Sequence, residues 1–193
     1  MTFFIGDPVE KTVVEEIRSW SEKILEKPNK FFNNLAPCPF ARGAWLEDKV
    51  AFLFKNEDSY QDLYTALSQW TDTHDLAILV DFTFDEDPDK FYVFLDEVNT
   101  AISKGFFINR DMWVVGFHPY DDASEFSEEA DFEPLTEINY AMIFVQRLSK
   151  LQESAHKIKK NGYYDNYDEE YNASYIFKRR EEFYRRLKNG NGT

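Results

Sequence analysis

Cysteine, glycine and long apolar runs are scarce in this chain, and each shortage excludes a class of protein. Cys38 is the only cysteine among the 193 residues, which rules out an internal disulfide and any cysteine spacing typical of a metal site. The 7 glycines form no glycine-rich loop of the kind that cradles phosphates, which argues against a P-loop nucleotide site. No apolar stretch reaches the roughly 20 residues that span a bilayer.

These shortages also bear on location. A lone thiol is compatible with a reducing compartment, and residues 1–16 lack the apolar centre of a signal peptide. We therefore expect a cytoplasmic protein that does not contact a membrane.

Positive charge is in deficit. Lys and Arg number 22 against 36 Asp and Glu, a formal net charge of −14. Nucleic-acid binding depends on clustered Lys and Arg, so this balance argues against a nucleic-acid partner. Aromatic residues, by contrast, are plentiful, with 19 Phe and 11 Tyr, and we expect a core built largely from rings.

Three short apolar runs predict strands, at residues 49–55, 76–82 and 112–117. The segments between them, 56–73 and 88–105, have apolar residues at helical spacing. Strands joined through long helices favour parallel pairing by right-handed crossovers. The predicted fold is a small three-layer α/β unit with a short, mainly parallel sheet. An α+β sheet with one reversed strand is the main alternative.

Further helices are predicted at both ends of the chain. An N-terminal helix begins near Asp7, and two extra helices follow the sheet at 138–158 and 168–187. The predicted organisation is a single α/β domain over residues 1–160 with a C-terminal helical extension over 161–193.

Cys38 and His118 are the side chains that most strongly suggest chemistry. Cys38 lies in the sequence Cys-Pro-Phe-Ala of a turn-rich connector, and His118 follows the third predicted strand in the sequence Phe-His-Pro. Cys and His are the side chains most easily tuned for reactivity near neutral pH. We expect one shared pocket, with Cys38 as nucleophile or ligand and His118 as the proton-transfer group or ligand. The alternatives are a buried, inert thiol and a structural histidine bonded to a backbone carbonyl.

Neighbouring polar residues extend this predicted site. Ligands bind at the carboxyl ends of parallel strands, and Asp81 and His118 stand at two such ends. Asp81 is predicted to orient His118, as the third member of a triad does. Arg42 is predicted to hold an anionic substrate, with Phe40 beside it as a second substrate-binding residue.

An acidic segment follows His118, because no Lys or Arg occurs between Asp111 and Gln146. His118, Asp81 and Asp121 are the candidate ligands for a divalent metal, since a mixed set of nitrogen and oxygen ligands suits iron, manganese or zinc. No pair among them has a diagnostic spacing, so the sequence assigns no cofactor.

The order of these motifs resembles an uncharacterised family of small bacterial proteins, the domain-of-unknown-function family 1415. The resemblance rests on Cys38-Pro39-Phe40-Ala41-Arg42, Asp81-Phe82 and Phe117-His118-Pro119, and it covers roughly residues 20–151. It implies that Cys38 and His118 belong to the site, but the family has no established activity. The chain departs from the family pattern at residues 36–37, which look like an insertion, and at residues 134–139.

Two functions are compatible with these observations. The first is the binding or conversion of a small polar or anionic molecule in a Cys38/His118 pocket, with or without a metal; the sequence does not decide whether this is an enzyme. The second is a non-enzymatic interaction protein that binds a protein partner through its acidic face and its Tyr-rich C-terminal helix. Rings such as Tyr163, Tyr164 and Tyr184 are anchors of the kind that interfaces favour. Packing of the same rings onto the domain is the alternative.

Overall fold

A computed structural model describes residues 7–57, 59–70, 73–104, 106, 111–121, 140–166 and 173–190. The helices are α1 (Pro8–Trp20), α2 (Ala41–Leu46), α3 (Gln61–Ser68), α4 (Pro88–Ser103), α5 (Leu148–Lys159) and α6 (Ala173–Gly190). The strands are β1 (Val50–Lys55), β2 (Leu76–Asp81), β3 (Trp113–Phe117) and β4 (Ala141–Gln146). A π-helical turn, Ser21–Leu25, extends α1. Within these residues no helix combines the length and the apolar character needed to cross a membrane.

Capping residues explain where α1 and α4 begin. The Asp7 carboxylate accepts the N–H of Val9 at 2.8 Å. The Asp87 carboxylate accepts the N–H of Asp89 at 3.0 Å in the same way. In both helices the next residue is a proline at the first helical position, where a missing N–H costs nothing. Both helix starts are therefore encoded locally, and both match the prediction.

The described strands form a four-stranded sheet in the order β1-β2-β4-β3. β1 and β2 pair in parallel, with Val50 opposite Leu76. β4 is antiparallel to both of its neighbours, β2 and β3, so β3 points in the same direction as β1 and β2. The last residues of these three strands therefore lie together with the first residue of β4, at what we call the carboxyl end of the sheet.

The prediction of a mainly parallel sheet is wrong, because β4 lies between β2 and β3. The sequence pattern predicts one helix over 138–158, whereas the structure has β4 followed by α5. Met142, Val145 and Leu148 have a spacing that fits a helix. However, β4 is an almost unbroken apolar run whose side chains are buried on both faces, which is typical of a central strand.

Helices cover both faces of the sheet, which confirms the three-layer α/β prediction. α3 and α4 cover one face, where Leu67 and Phe91 belong to the larger apolar cluster. α1 covers the other face through Val13 and Ile17, and Trp45 of α2 packs against the same cluster.

The two extra C-terminal helices are also present. α5 and α6 pack against each other, and Phe177, Arg180 and Tyr184 of α6 are buried. Tyr184 forms a cluster with Trp113 of β3 and Leu148 of α5. The last helix therefore docks on the rest of the chain. The division between residues 1–160 and 161–193 stays a prediction.

Candidate functional site

A buried ion pair closes the ends of β1 and β2. Lys55 and Asp81 are register partners in the parallel pair, so their side chains leave the sheet on the same face. Lys55 Nζ lies 2.8 Å from Asp81 Oδ1, and the two side chains are 2% and 0% exposed. The two charges are thus compensated by each other rather than by water.

Tyr60 and Thr83 complete what we call the Lys55–Asp81 cluster. The Tyr60 hydroxyl donates to Asp81 Oδ2 at 3.0 Å, and the Thr83 N–H donates to Asp81 Oδ1 at 2.9 Å. The Lys55 ammonium also donates to the Thr83 hydroxyl and lies 4.7 Å from the centre of the Tyr60 ring. Both charges have partners, as a buried ion pair requires. The sequence patterns did not single out Lys55 and Tyr60, although Lys55, like Asp81, is a charged residue that ends an apolar strand.

His118 is a buried side chain whose two ring nitrogens are both bonded to backbone groups. It is 1% exposed. Nε2 donates to the Asp85 carbonyl at 2.8 Å, and Nδ1 accepts the N–H of Tyr120 at 3.2 Å, a pattern that assigns the ring proton to Nε2. The rings of Phe84 and Phe91 pack around it, with centroids at 5.2 and 5.4 Å. These contacts favour the structural alternative for His118.

The structure does not bring Asp81 to His118. Both carboxylate oxygens of Asp81 are bonded within the Lys55–Asp81 cluster, and the ring of His118 has the backbone partners just described. The hydrogen bond by which Asp81 was to orient His118 is therefore not formed between these described residues.

Cys38 lies between the π-helical turn and α2. Its N–H donates to the Leu25 carbonyl at 2.9 Å. Burial raises the pKa of the Cys38 thiol; hydrogen bonds from the backbone of Phe40 and Ala41 lower it in part, and the nearby Glu26 carboxylate raises it further. A raised pKa leaves little thiolate near neutral pH, and the thiolate is the reactive form. The site thus favours an inert thiol.

Cys38 and His118 lie on opposite sides of the sheet. Side chains alternate between the two faces of a strand, and Gly116, two residues before His118, lies directly beneath Leu95 of α4. His118 is therefore on the face covered by α4. Cys38 is bonded to Leu25, at the end of the helical segment that covers the other face. The expected shared pocket is not formed.

Arg42 and Phe40 lie on the surface at the start of α2. Arg42 is exposed, and Phe40 is 44% exposed. They adjoin Cys38 in sequence but stand away from the rings that surround His118. Their role in substrate binding stays a prediction.

The candidate metal ligands are not assembled. Among the described residues, no group of three or more His, Cys, Asp or Glu side chains is arranged to hold a metal ion. Asp121 accepts a hydrogen bond from the Tyr92 hydroxyl at 2.7 Å, and its N–H donates to the His118 carbonyl at 3.2 Å. It thus contacts the backbone of His118 rather than the ring.

Acidic side chains collect at the carboxyl end of the sheet. We call this group the acidic end; it comprises Glu57, Asp62, Asp85, Glu86, Asp87, Asp89 and Asp121. The segments that carry it, 56–62, 81–90 and 118–121, contain one exposed cation, Lys90, which is 3.4 Å from Asp85 and 3.6 Å from Asp87. The backbone hydrogen bond from Asp87, with help from Lys90, holds the pKa of the Asp85 carboxyl below its ordinary value.

The acidic segment predicted after His118 begins and ends at this same place. Asp121 and Tyr140 flank it in the described chain, and residues 122–139 lie outside the described residues. By sequence those residues contain Asp and Glu but neither Lys nor Arg. The acidic end is therefore attached to a further stretch of negative charge.

Rings proposed as interface anchors in the C-terminal segment are used inside the fold. The Tyr163 ring packs 4.7 Å from Phe32, and its hydroxyl donates to the Pro37 carbonyl. The Tyr184 hydroxyl donates to Glu153 Oε1 at 2.9 Å. Tyr164 is half-buried. Tyr167 and Tyr171 lie outside the described residues.

A shallow depression of about 420 Å³ runs along α3, where Tyr60 and Tyr64 contribute rings. Its lining comes from that helix and the turn before it. A small-molecule site usually surrounds most of its ligand, which the surface of a single helix does not do.

No family model, no curated protein and no solved structure matches this chain. The resemblance to family 1415 is thus neither supported nor contradicted.

Proposed function

We propose that this protein is a non-enzymatic binding protein whose acidic end takes a cationic segment of a protein partner. The observation that carries the proposal is the local charge: seven carboxylates after three strands, with Lys90 as the one lysine or arginine exposed in the same segments. Complementary charge speeds the encounter of two proteins and rejects partners of like charge. Residues 122–139, which follow Asp121 in the chain, add further Asp and Glu but neither Lys nor Arg.

The state of the candidate catalytic groups supports binding over a reaction. His118 has both nitrogens bonded to backbone, the Cys38 thiol has a raised pKa, and Asp81 is neutralised by Lys55. The contacts of His118 and Asp81 leave neither side chain free to bind a substrate, and the raised pKa of Cys38 disfavours its reactive thiolate form. A reaction at a Cys38/His118 pocket therefore has no observation in its favour.

The partner surface is assigned to the acidic end rather than to the C-terminal helix. The rings and hydroxyls of Tyr163 and Tyr184 make contacts inside the fold. They therefore do not offer the exposed anchors that binding through the C-terminal helix requires. A single cysteine suits a reducing compartment, and the proposal places both proteins in the cytoplasm.

The test compares two variants of equal net charge. One carries Glu57→Gln, Glu86→Gln and Asp89→Asn at the acidic end. The control carries Glu47→Gln, Asp48→Asn and Glu97→Gln, which are exposed residues elsewhere. With protamine as the cationic probe, measured by calorimetry at physiological salt, we expect the first variant to lose about tenfold in affinity and the control less than about threefold.

Equal losses in the two variants would mean that the probe responds to net charge alone, and the proposed site would be abandoned. Unchanged binding in both would have the same consequence.

A further inference from the structure

The outer edge of β1 carries backbone groups that point away from the sheet. The Lys49 carbonyl accepts the N–H of Leu76 at 3.2 Å, and the Lys55 carbonyl accepts the N–H of Phe82 at 3.1 Å. Odd-numbered residues of β1 thus bond to β2, and the alternation along a strand turns the N–H and C=O groups of the even-numbered residues outward. These are Val50, Phe52 and Phe54. In the described part of the chain these outward groups have no hydrogen-bond partner.

Between Val50 and Phe54 this edge lacks the proline, the bulge and the charged residue that commonly block strand pairing, and the inward-pointing Lys55 comes only at its end. The run from Val50 to Phe54 contains no proline, no glycine and no charged residue, and it pairs with β2 in unbroken register. The Phe52 side chain is buried beneath Trp45, with the rings 5.8 Å apart. At Phe52 it is therefore the backbone, rather than the side chain, that the strand presents at its outer edge. An unprotected apolar edge of this kind is a template for another strand.

We propose that two copies of this chain associate through β1, which pairs antiparallel with β1 of the partner subunit across a two-fold axis. The two sheets then form one continuous sheet. This inference does not rest on the proposed function, because it is argued from the backbone of β1; the two surfaces share Glu57 alone.

Charge selects both the occupant and the register. Residues whose backbone groups point away from β2 have to lie opposite the same kind of residue in the partner subunit. One strand can therefore slide along the other only in steps of two residues. In the register that places Phe52 opposite Phe54 of the partner subunit, Lys49 lies opposite Glu57 of the partner subunit, and the symmetric pair forms as well. In the single chain Glu57 is exposed. The neighbouring register, with Phe52 opposite Phe52 of the partner subunit, sets Lys49 against Lys55 of the partner subunit, whose buried ammonium is already paired with Asp81 and offers Lys49 no opposite charge.

Aromatic packing supports the same register. A row of rings runs along β1 to the turn after β2, with Phe52 and Phe54 6.4 Å apart and Phe54 and Phe82 6.3 Å apart. The proposed pairing sets Phe52 beside Phe54 of the partner subunit and continues this row into the second copy. Aromatic pairs opposite each other on neighbouring strands are among the favourable ones.

The first experiment measures mass and amide exchange against concentration, at about 0.15 M salt to screen the repulsion between two acidic copies. We expect a monomer–dimer equilibrium by sedimentation. We also expect exchange at Val50, Phe52 and Phe54 to slow as concentration rises, while exchange at Ala51 and Leu53 stays slow throughout. A monomer at every concentration, or exchange at the even positions that ignores concentration, would overturn the proposal.

The second experiment uses charge reversal at the rim of the pairing. Lys49→Glu and Glu57→Lys should each raise the dimer dissociation constant about tenfold, since two symmetric pairs become repulsive. An equimolar mixture of the two variants should regain the wild-type dissociation constant, because both rim pairs are then complementary. Glu47→Lys, with the same charge change as Glu57→Lys but no rim partner in this register, is the control.

A dimer that is unaffected by both reversals, or a mixture that fails to recover, would exclude this register and the two-copy interface built on it. Association of the monomer only with an added strand peptide from another protein would assign the edge to a different occupant.

Discussion

The two outer edges of the sheet, β3 and β1, differ in whether their outward backbone groups are hydrogen-bonded. At β3, the side-chain amide of Asn99 donates to the Val114 carbonyl at 2.7 Å and accepts the Val114 N–H at 2.9 Å. A side chain from α4 thus takes the place of a neighbouring strand. At β1, the outward groups have no such substitute among the described residues.

The packing of the helices makes the same distinction. α4 lies so close to β3 that Gly116 has no room for a Cβ atom, and α6 adds Tyr184 against Trp113. β1 is paired with β2 along its inner side, with the Lys55–Asp81 cluster at its end. The edge at β3 is closed by the chain itself, whereas the outer backbone groups of β1 are bonded to no described residue. Exposed strand edges in natural proteins are normally covered or blocked, so the open edge is the better place to look for a partner.

The largest effect on stability is expected at the Lys55–Asp81 cluster, at the end of β1. Lys55→Met leaves Asp81 buried with an uncompensated charge, and we expect a loss of about 3–5 kcal/mol in the free energy of unfolding. Lys90→Met, which removes an exposed lysine whose carboxylate partners lie at 3.4 and 3.6 Å, is the control and should leave the free energy of unfolding nearly unchanged. Urea unfolding measures both. Similar small losses would show that the buried pair does not hold this edge.

At the closed edge, Asn99→Ala removes both bonds to Val114 and leaves a buried N–H and C=O without partners. We expect a loss of about 2–4 kcal/mol, since each unsatisfied buried group costs about 1–3 kcal/mol. Amide exchange at Val114 should speed up more than exchange at Met112. A loss below about 0.5 kcal/mol would mean that water replaces the Asn99 amide, and the two edges would then differ less than the contacts indicate.

Gly116→Ala tests how tightly α4 closes the β3 edge. A Cβ at this position would lie 2.4 Å from the Leu95 side chain and 2.5 Å from the Phe91 ring. Overpacking of this kind typically costs about 1–3 kcal/mol. Gly43→Ala in α2 is the matched control, because a Cβ there meets nothing within 4 Å, and alanine in an exposed helix should add about 0.5–1 kcal/mol. Thermal unfolding should shift in opposite directions for the two variants.

The smallest effect concerns how α6 is held against α5. Burial on its own raises the pKa of Glu181, but hydrogen bonds from Gln152, His156 and Arg185 outweigh it, so the pKa of this carboxyl is lowered. A carboxyl whose pKa is lowered in the folded state stabilises the fold at every pH above the ordinary glutamate pKa. This stabilisation is lost as the pH falls through the lowered pKa.

We therefore expect Glu181→Gln to cost under about 1 kcal/mol at pH 7, with the difference from the wild type shrinking in strongly acidic solution. Urea unfolding at both pH values measures this. A difference that grows on acidification would show that the carboxyl is not stabilised by its three donors.

Sequence reasoning succeeded where the signal is local. The apolar spacing over residues 88–105 predicts α4, and the unbroken run at 76–80 predicts β2 as a buried strand. It failed at β4, because Ala141–Gln146 can satisfy a helical spacing or a strand equally well. Only its neighbours, β2 and β3, decide between the two.

The candidate site shows the same limit. The clustering of acidic residues after the strands is visible in the order of residues, since strand ends are where polar residues resume. The pairing of Lys55 with Asp81 depends on the register of two strands 26 positions apart, and the separation of Cys38 from His118 depends on which face each side chain leaves. Neither property is carried by a local pattern.

The sequence by itself determined the net charge, the scarcity of cysteine, the helix caps and most of the strands, because each of these depends on composition or on residues within a few positions of one another. The tertiary structure alone decided the strand order, the face on which each candidate residue lies, and which sheet edge is closed. Those outcomes depend on contacts between distant segments, where hydrogen-bond satisfaction and burial select one arrangement among several that local preference allows.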